Sequence, residues 1–242
     1  MITPMAPEKY TYNFHFKDGS HKKFEINLSK EKYEMLRQEQ TPPPEWTRLD
    51  ENKCANCPLN SADVPHCPVA VNLSDLVAFF TDHVSYEEIE INVESDNRNY
   101  NKKTDLQDGI QSIYGLIMAT SGCPHMNFFK PMAQFHMPFS LPHEAIARTI
   151  CIYLLQQHYL MEQGKISEVS LRNLEKYYTQ INQVNIGIMK RFNQVKMKDS
   201  SKNGVLILDA FATLVTMEVS DGFKNFEYLF NLEHTHKTKE IL

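Results

Sequence analysis

Six prolines fall between positions 42 and 68: Pro42, Pro43, Pro44, Pro58, Pro65 and Pro68. Proline has no amide donor and restricts the residue before it, so Thr41-Pro42-Pro43-Pro44-Glu45-Trp46 is neither helix interior nor central strand. Residues 47–72 add three cysteines to the remaining prolines and read as loop. So long a loop in a compact domain is functional or tied down from outside. Whatever folds around it must form from the segments on either side.

Those segments carry clear periods. Tyr10, Tyr12, Phe14 and Phe16 alternate with polar neighbours, Lys17-Asp18-Gly19-Ser20 supplies a turn, and Phe24, Ile26 and Leu28 resume the alternation. Ile89, Ile91 and Val93 repeat it beyond the loop. A short helix is expected from Leu73 to His83, with Leu76, Val77, Phe79 and Phe80 on its apolar side. From residue 104 the pattern becomes helical. Thr104-Asp105-Leu106-Gln107 has capping-box spacing, and Leu106, Ile110, Ile113, Tyr114 and Ile117 follow at helical intervals up to a stop at Gly122. Further helices are expected over Pro142–Gln163, Glu168–Met197, Val205–Val219 and Asn225–Leu232, with a fraying tail from His234 to Leu242. The expectation is a single α+β domain over 1–242. Residues 1–100 would form a small three-stranded antiparallel sheet with the cysteine loop, and 101–242 a larger, mostly helical body.

Composition removes several functions. The net charge of -5 does not favour non-specific nucleic-acid binding, which needs a cationic surface. No apolar run reaches about 18 residues, so no membrane span is expected. Met1–Lys9 lacks the apolar core of a secretory signal, and five cysteines without a signal point to a reducing, cytoplasmic setting. Gly-rich phosphate loops, G-x-S-x-G and H-E-x-x-H are missing.

The cysteines carry the strongest chemical signal. Cys54-Ala55-Asn56-Cys57 is a C-x2-C pair, Cys67 follows ten positions later, and Cys123 lies at the end of a helix. Two residues between thiolates let both face one ion, and third and fourth ligands close a tetrahedral shell. Cys54, Cys57, Cys67 and Cys123 could thus bind structural zinc and pin the loop to the helical body, with His66 or His125 as alternates for one thiolate. Such a closed shell leaves no position for substrate, so this reading is non-catalytic. The same thiolates could hold an iron–sulfur cluster, since proline after a ligand is a ferredoxin habit, although the spacing matches neither common ferredoxin pattern. A redox pair at Cys54 and Cys57, or unrelated structural thiols, also remain open. Cys151, in Thr149-Ile150-Cys151-Ile152-Tyr153, is expected to be a core thiol.

Other clusters have plainer readings. Met126 to Phe139 is dense in Met, Phe, His and Pro and reads as irregular core packing, or as a hydrophobic collar around the metal or a ligand pocket. His136, His143, Glu144, Arg148, His158 and Glu162 could form an acid–base site, but surface ion pairs explain Glu144/Arg148 and His158/Glu162. Glu233 and His236 give a single Glu-x-x-His, where a di-iron bundle needs two. Trp46 could anchor the loop by packing. A protein partner or a second copy of the chain is possible.

The segments Cys54-Ala55-Asn56-Cys57-Pro58-Leu59, His66-Cys67-Pro68-Val69-Ala70 and Ser121-Gly122-Cys123-Pro124, followed by Pro131–Phe139, resemble an uncharacterised bacterial family of unknown function. The resemblance implies a cytoplasmic bacterial protein with no assigned activity, and it adds no mechanism.

Overall fold

The computed structural model describes residues 9–29, 31–37 and 42–230. Thr41, Leu232, the Glu233/His236 pair and the tail from His234 lie outside them. Four strands form one sheet: β1 Lys9–Phe16, β2 His21–Asn27, β3 Glu88–Glu94 and β4 Asn99–Asp105. Their order is β2-β1-β3-β4, antiparallel throughout.

The β1–β2 hairpin follows from its sequence. Gly19 takes φ +83° in the turn, and the register sets Tyr12 opposite Phe24 and Tyr10 opposite Ile26. Tyr10, Tyr12, Phe14, Phe24, Ile26, Ile89, Ile91 and Val93 are all buried, so one face of the sheet is apolar and covered.

The fourth strand corrects the three-stranded expectation. β4 reads Asn99-Tyr100-Asn101-Lys102-Lys103-Thr104-Asp105, pairs only with β3, and buries none of its residues. An edge strand half in solvent needs no apolar alternation, and its lysines discourage further pairing. Thr104 is therefore strand. The cap of the next helix falls one residue later, at Asp105, whose carboxylate accepts from the Asp108 N–H at 3.1 Å.

The helices are α1 Pro68–Phe79, α2 Leu106–Ala119, α3 Lys130–Gln134, α4 Pro142–Glu162, α5 Arg172–Phe192, α6 Ser200–Ser220 and the short α7 Glu227–Phe230. Helix α1 begins earlier than the apolar pattern suggests, because Pro68 fits the first turn. Helix α5 is shorter than Glu168–Met197 at both ends. Among the described residues α6 alone is long and apolar enough, by length and composition, to cross a membrane. Here it packs on α2 and α5.

Buried side chains form two clusters. The larger joins the sheet to α1, α2 and the inner face of α5, ending on Val205 of α6. The smaller collects Ile146 and Tyr153 of α4, Leu174 and Tyr178 of α5, Ala212 and Val215 of α6, and Phe226. Helix α6 can lie against α2 because Gly204 faces the buried Tyr114 ring. A Cβ at Gly204 would stand 2.8 Å from two ring carbons. Gly204→Ala should lower stability by about 1–3 kcal/mol through overpacking, despite gaining about 1 kcal/mol of helix propensity. A melting temperature equal to or above that of the parent protein would contradict this.

Candidate functional site

The proline- and cysteine-rich segment is tied down along its length. The Trp46 ring stands edge-on to Phe192 of α5, 5.8 Å between centroids. The Leu49 N–H donates to Pro65 O at 2.9 Å, and the Cys67 N–H donates to Thr47 O at 2.8 Å, closing the segment on itself. Cys54 and Cys57 form a turn, with the Cys57 N–H donating to Cys54 O at 3.0 Å. Cys67 is the residue that caps α1. Cys123 follows Gly122, which takes φ +81° after α2.

Two contacts draw these loops together. His125 Nε2 lies 2.8 Å from Asn56 O, joining the Cys123 loop to the Cys54–Cys57 turn. Both rest on Gln180 of α5: Asn56 Nδ2 donates to Gln180 O at 3.0 Å, and His125 Nδ1 is 3.2 Å from Gln180 Oε1. Seven residues along α5, Gly187 meets Cys54. A Cβ there would lie 2.5 Å from the sulfur, so only glycine lets the thiol sit against this helix.

Beneath the loop lies Arg191, 1% exposed. Nη1 donates to Trp46 O at 2.9 Å and to Arg48 O at 2.6 Å, and Nη2 donates to Leu49 O at 3.0 Å. Nε has no partner, and among the described residues no carboxylate pairs with this guanidinium. A buried charge with only carbonyl dipoles for partners is costly unless an anion stands near.

All five cysteines are free thiols. Burial pushes Cys54 up to about 11, with Cys67 and Cys57 adding to the rise and Arg191 opposing it. Burial pushes Cys123 up to about 12, opposed by the backbone N–H groups of His125 and Met126 and reinforced by Cys67 and Cys54. Cys67 is raised by burial too, against the N–H groups of Ala70 and Val69 and the charge of Arg191. The four cysteines are thus electrostatic neighbours. Among the described residues, however, no three His, Cys, Asp or Glu side chains are gathered so that they could hold an ion. The alternates are occupied elsewhere. His66 Nδ1 lies 2.8 Å from Thr47 Oγ1, and both nitrogens of His125 are engaged as above.

Several expectations change. Cys151 is exposed, not a core thiol. Helix α4 buries only the stripe Ile146, Thr149, Tyr153 and Gln157, and Cys151 lies off that stripe. Neither Glu144/Arg148 nor His158/Glu162 is an ion pair. His143, His158 and Glu162 are exposed, and the Glu144 carboxylate accepts from the Leu141 N–H at 2.7 Å. Residues 126–139 are more than irregular packing: they wall a cavity of about 460 Å³ between the two buried clusters. Arg191 and Gly187 were missed by sequence reasoning. Their signals were a charge on the apolar stripe of α5, in line with Val184 and Ile188, and a glycine inside a helical pattern.

His136 lines that cavity. Its Nε2 is 2.7 Å from Tyr12 Oη, and its ring meets Tyr10 edge-on. Burial, aided by the charge of Arg148 on α4, brings its pKa down to about 3. Tyr10 and Tyr12 face it from β1. Lys102 of β4, Asp108 of α2 and Tyr178 of α5 share the cavity wall. Because the folded pKa lies below the unfolded value of about 6.5, the unfolded chain binds the extra proton, and stability falls as pH drops below that value. The fall should be about 1–2 kcal/mol by pH 5, before the depressed carboxylates Glu87 and Asp199 titrate. Urea denaturation at pH 7 and pH 5 should show this difference, and His136→Gln should remove most of it.

Together these features define an α+β protein whose proline- and cysteine-rich loop is clamped over a buried arginine of its helical body. The chain belongs to the family described as a domain of unknown function, DUF6901, whose model matches residues 10–231. No curated protein and no solved structure matches it. Arg191→Met should strand the carbonyls of Trp46, Arg48 and Leu49, costing about 2–4 kcal/mol, and should open residues 49–66 to limited proteolysis. Unchanged stability and an unchanged digestion pattern would show that the loop does not depend on this clamp.

Proposed function

We propose that Cys54, Cys57, Cys67 and Cys123 bind one zinc ion through four thiolates, and that this ion fastens the proline-rich loop to α1, α5 and the 120–126 loop. The reading is carried by Arg191: a buried cation that pairs with no carboxylate among the described residues and whose charge acts on both Cys54 and Cys67. Zinc with four thiolates carries two net negative charges, and the guanidinium offsets one of them. Backbone N–H groups facing the Cys67 and Cys123 sulfurs suit thiolates, which accept hydrogen bonds. Zn–S bonds of about 2.3 Å require the sulfurs to draw inward by side-chain rotation, at the expense of four thiol protons.

A closed four-sulfur shell has no open position, so the site is structural and the protein is not a zinc hydrolase. The raised Cys54 thiol weighs against that residue as the nucleophile of the oxidoreductase alternative, which needs a thiolate at neutral pH. An iron–sulfur cluster on the same ligands is distinguished by colour.

Elemental analysis of the full chain, purified anaerobically without added metal, should give about one equivalent of zinc. Cys54→Ser and Cys123→Ser should each lower it severalfold, while Cys151→Ser leaves it unchanged. Less than about a tenth of an equivalent of zinc, with no iron, overturns the metal reading. Iron with absorbance near roughly 400 nm overturns zinc in favour of the cluster.

A further inference from the structure

The cavity between the two buried clusters has the size and wall of a small-molecule site. Its volume of about 460 Å³ sits within the usual range of roughly 300–1,000 Å³ for such pockets. The wall is mainly apolar, built from Met126, Phe129, Met132, Leu116 and Phe211 among others. Methionine-rich walls adapt to flexible chains better than to one rigid shape.

Three charged residues line it, and they are not equivalent. The Lys102 ammonium is 3.9 Å from the Asp108 carboxylate and lies against the Phe139 ring. Arg148 pairs with no carboxylate among the described residues. The side chain one turn back, Glu144, is spent on the helix cap. Nη1 of Arg148 reaches only Phe135 O at 3.4 Å and Ser140 Oγ at 3.3 Å, and Nε is shut away from solvent with no partner. Neutral His136 brings no negative charge to balance it. In the same wall Asn185, 2% exposed, gives its Nδ2 hydrogen to Asp209 Oδ1 at 3.2 Å but leaves its own Oδ1 buried without a donor. Two unpartnered atoms of opposite character, the Nε of a guanidinium without a carboxylate and an amide acceptor, thus belong to the wall of one greasy cavity. Buried polar atoms are nearly always paired, so both leave room for a partner in this wall.

We propose that this cavity binds an apolar carboxylic acid of medium chain length, its carboxylate on Arg148 and its body against the Met and Phe wall. A hydroxyl on the ligand donates to Asn185 Oδ1. Planar guanidinium suits a carboxylate through paired N–H donors, whereas an alcohol offers it no charge. The site is separate from the four cysteines, and this inference does not rest on bound metal.

Isothermal titration calorimetry of the full chain with decanoate, decanol and ω-hydroxydecanoate tests this. Decanoate should bind at least about tenfold more tightly than decanol, the ratio expected when a charge-assisted hydrogen bond worth about 1.5–3 kcal/mol is lost. Arg148→Met should erase that preference, lowering decanoate affinity toward that of decanol, and Arg148→Lys should restore part of it. Asn185→Leu should remove any advantage of ω-hydroxydecanoate over decanoate. Equal affinities for decanoate and decanol in the parent protein, or no binding of any of the three, overturn the proposal without needing a variant. Undiminished decanoate binding in a folded Arg148→Met protein overturns the role of Arg148.

Discussion

The buried guanidinium of Arg191 is the contact on which the loop's placement depends. Six prolines leave this segment six backbone donors short, so some of its carbonyls find donors outside it. Arg191 supplies three from one side chain, to Trp46, Arg48 and Leu49. A planar group with five donors does this where a lysine could not, and packing of Trp46 on Phe192 excludes water around it. The residues that follow are thereby led across α5, and Cys54 arrives at the one helix position with no side chain, Gly187.

How much of this was readable beforehand depended on whether a residue's environment was local. The β1–β2 hairpin was, because alternation and a glycine turn are short-range signals. Most of α2 was, because Leu106, Ile110, Ile113, Tyr114 and Ile117 form one stripe and all are buried. Strand β4 was not. Asn99–Asp105 is held by β3 and by solvent, and neither leaves an apolar pattern in it. Cys151 was misjudged because its apolar neighbours in sequence lie on several faces of α4, of which the fold covers one. The pairing of Cys123 with the loop was a guess from residue type; what supports it is a histidine–carbonyl contact at Asn56 that no spacing rule contains. Arg191 was hidden for the reverse reason: a charged residue is expected at the surface, and only the carbonyls of a distant loop explain its burial.

The segment after α2 joins the two regions of interest. Cys123 belongs to the larger cluster, as Cys67 does, and Met126, three residues on, both packs into that cluster and faces the cavity. Phe129 touches both clusters, and His136 closes the cavity against Tyr12 of the sheet. A chain path of so few residues, irregular for most of its length, keeps its shape through contacts at its ends and along its sides. One end is fixed beside Cys123 by the contacts of His125 with Asn56 and Gln180, the other by α4 and the Arg148–Ser140 contact. Held at both ends, this strap forms part of a cavity wall that draws on both packed clusters, Leu116 and Met126 from the larger and Tyr178 and Ala212 from the smaller.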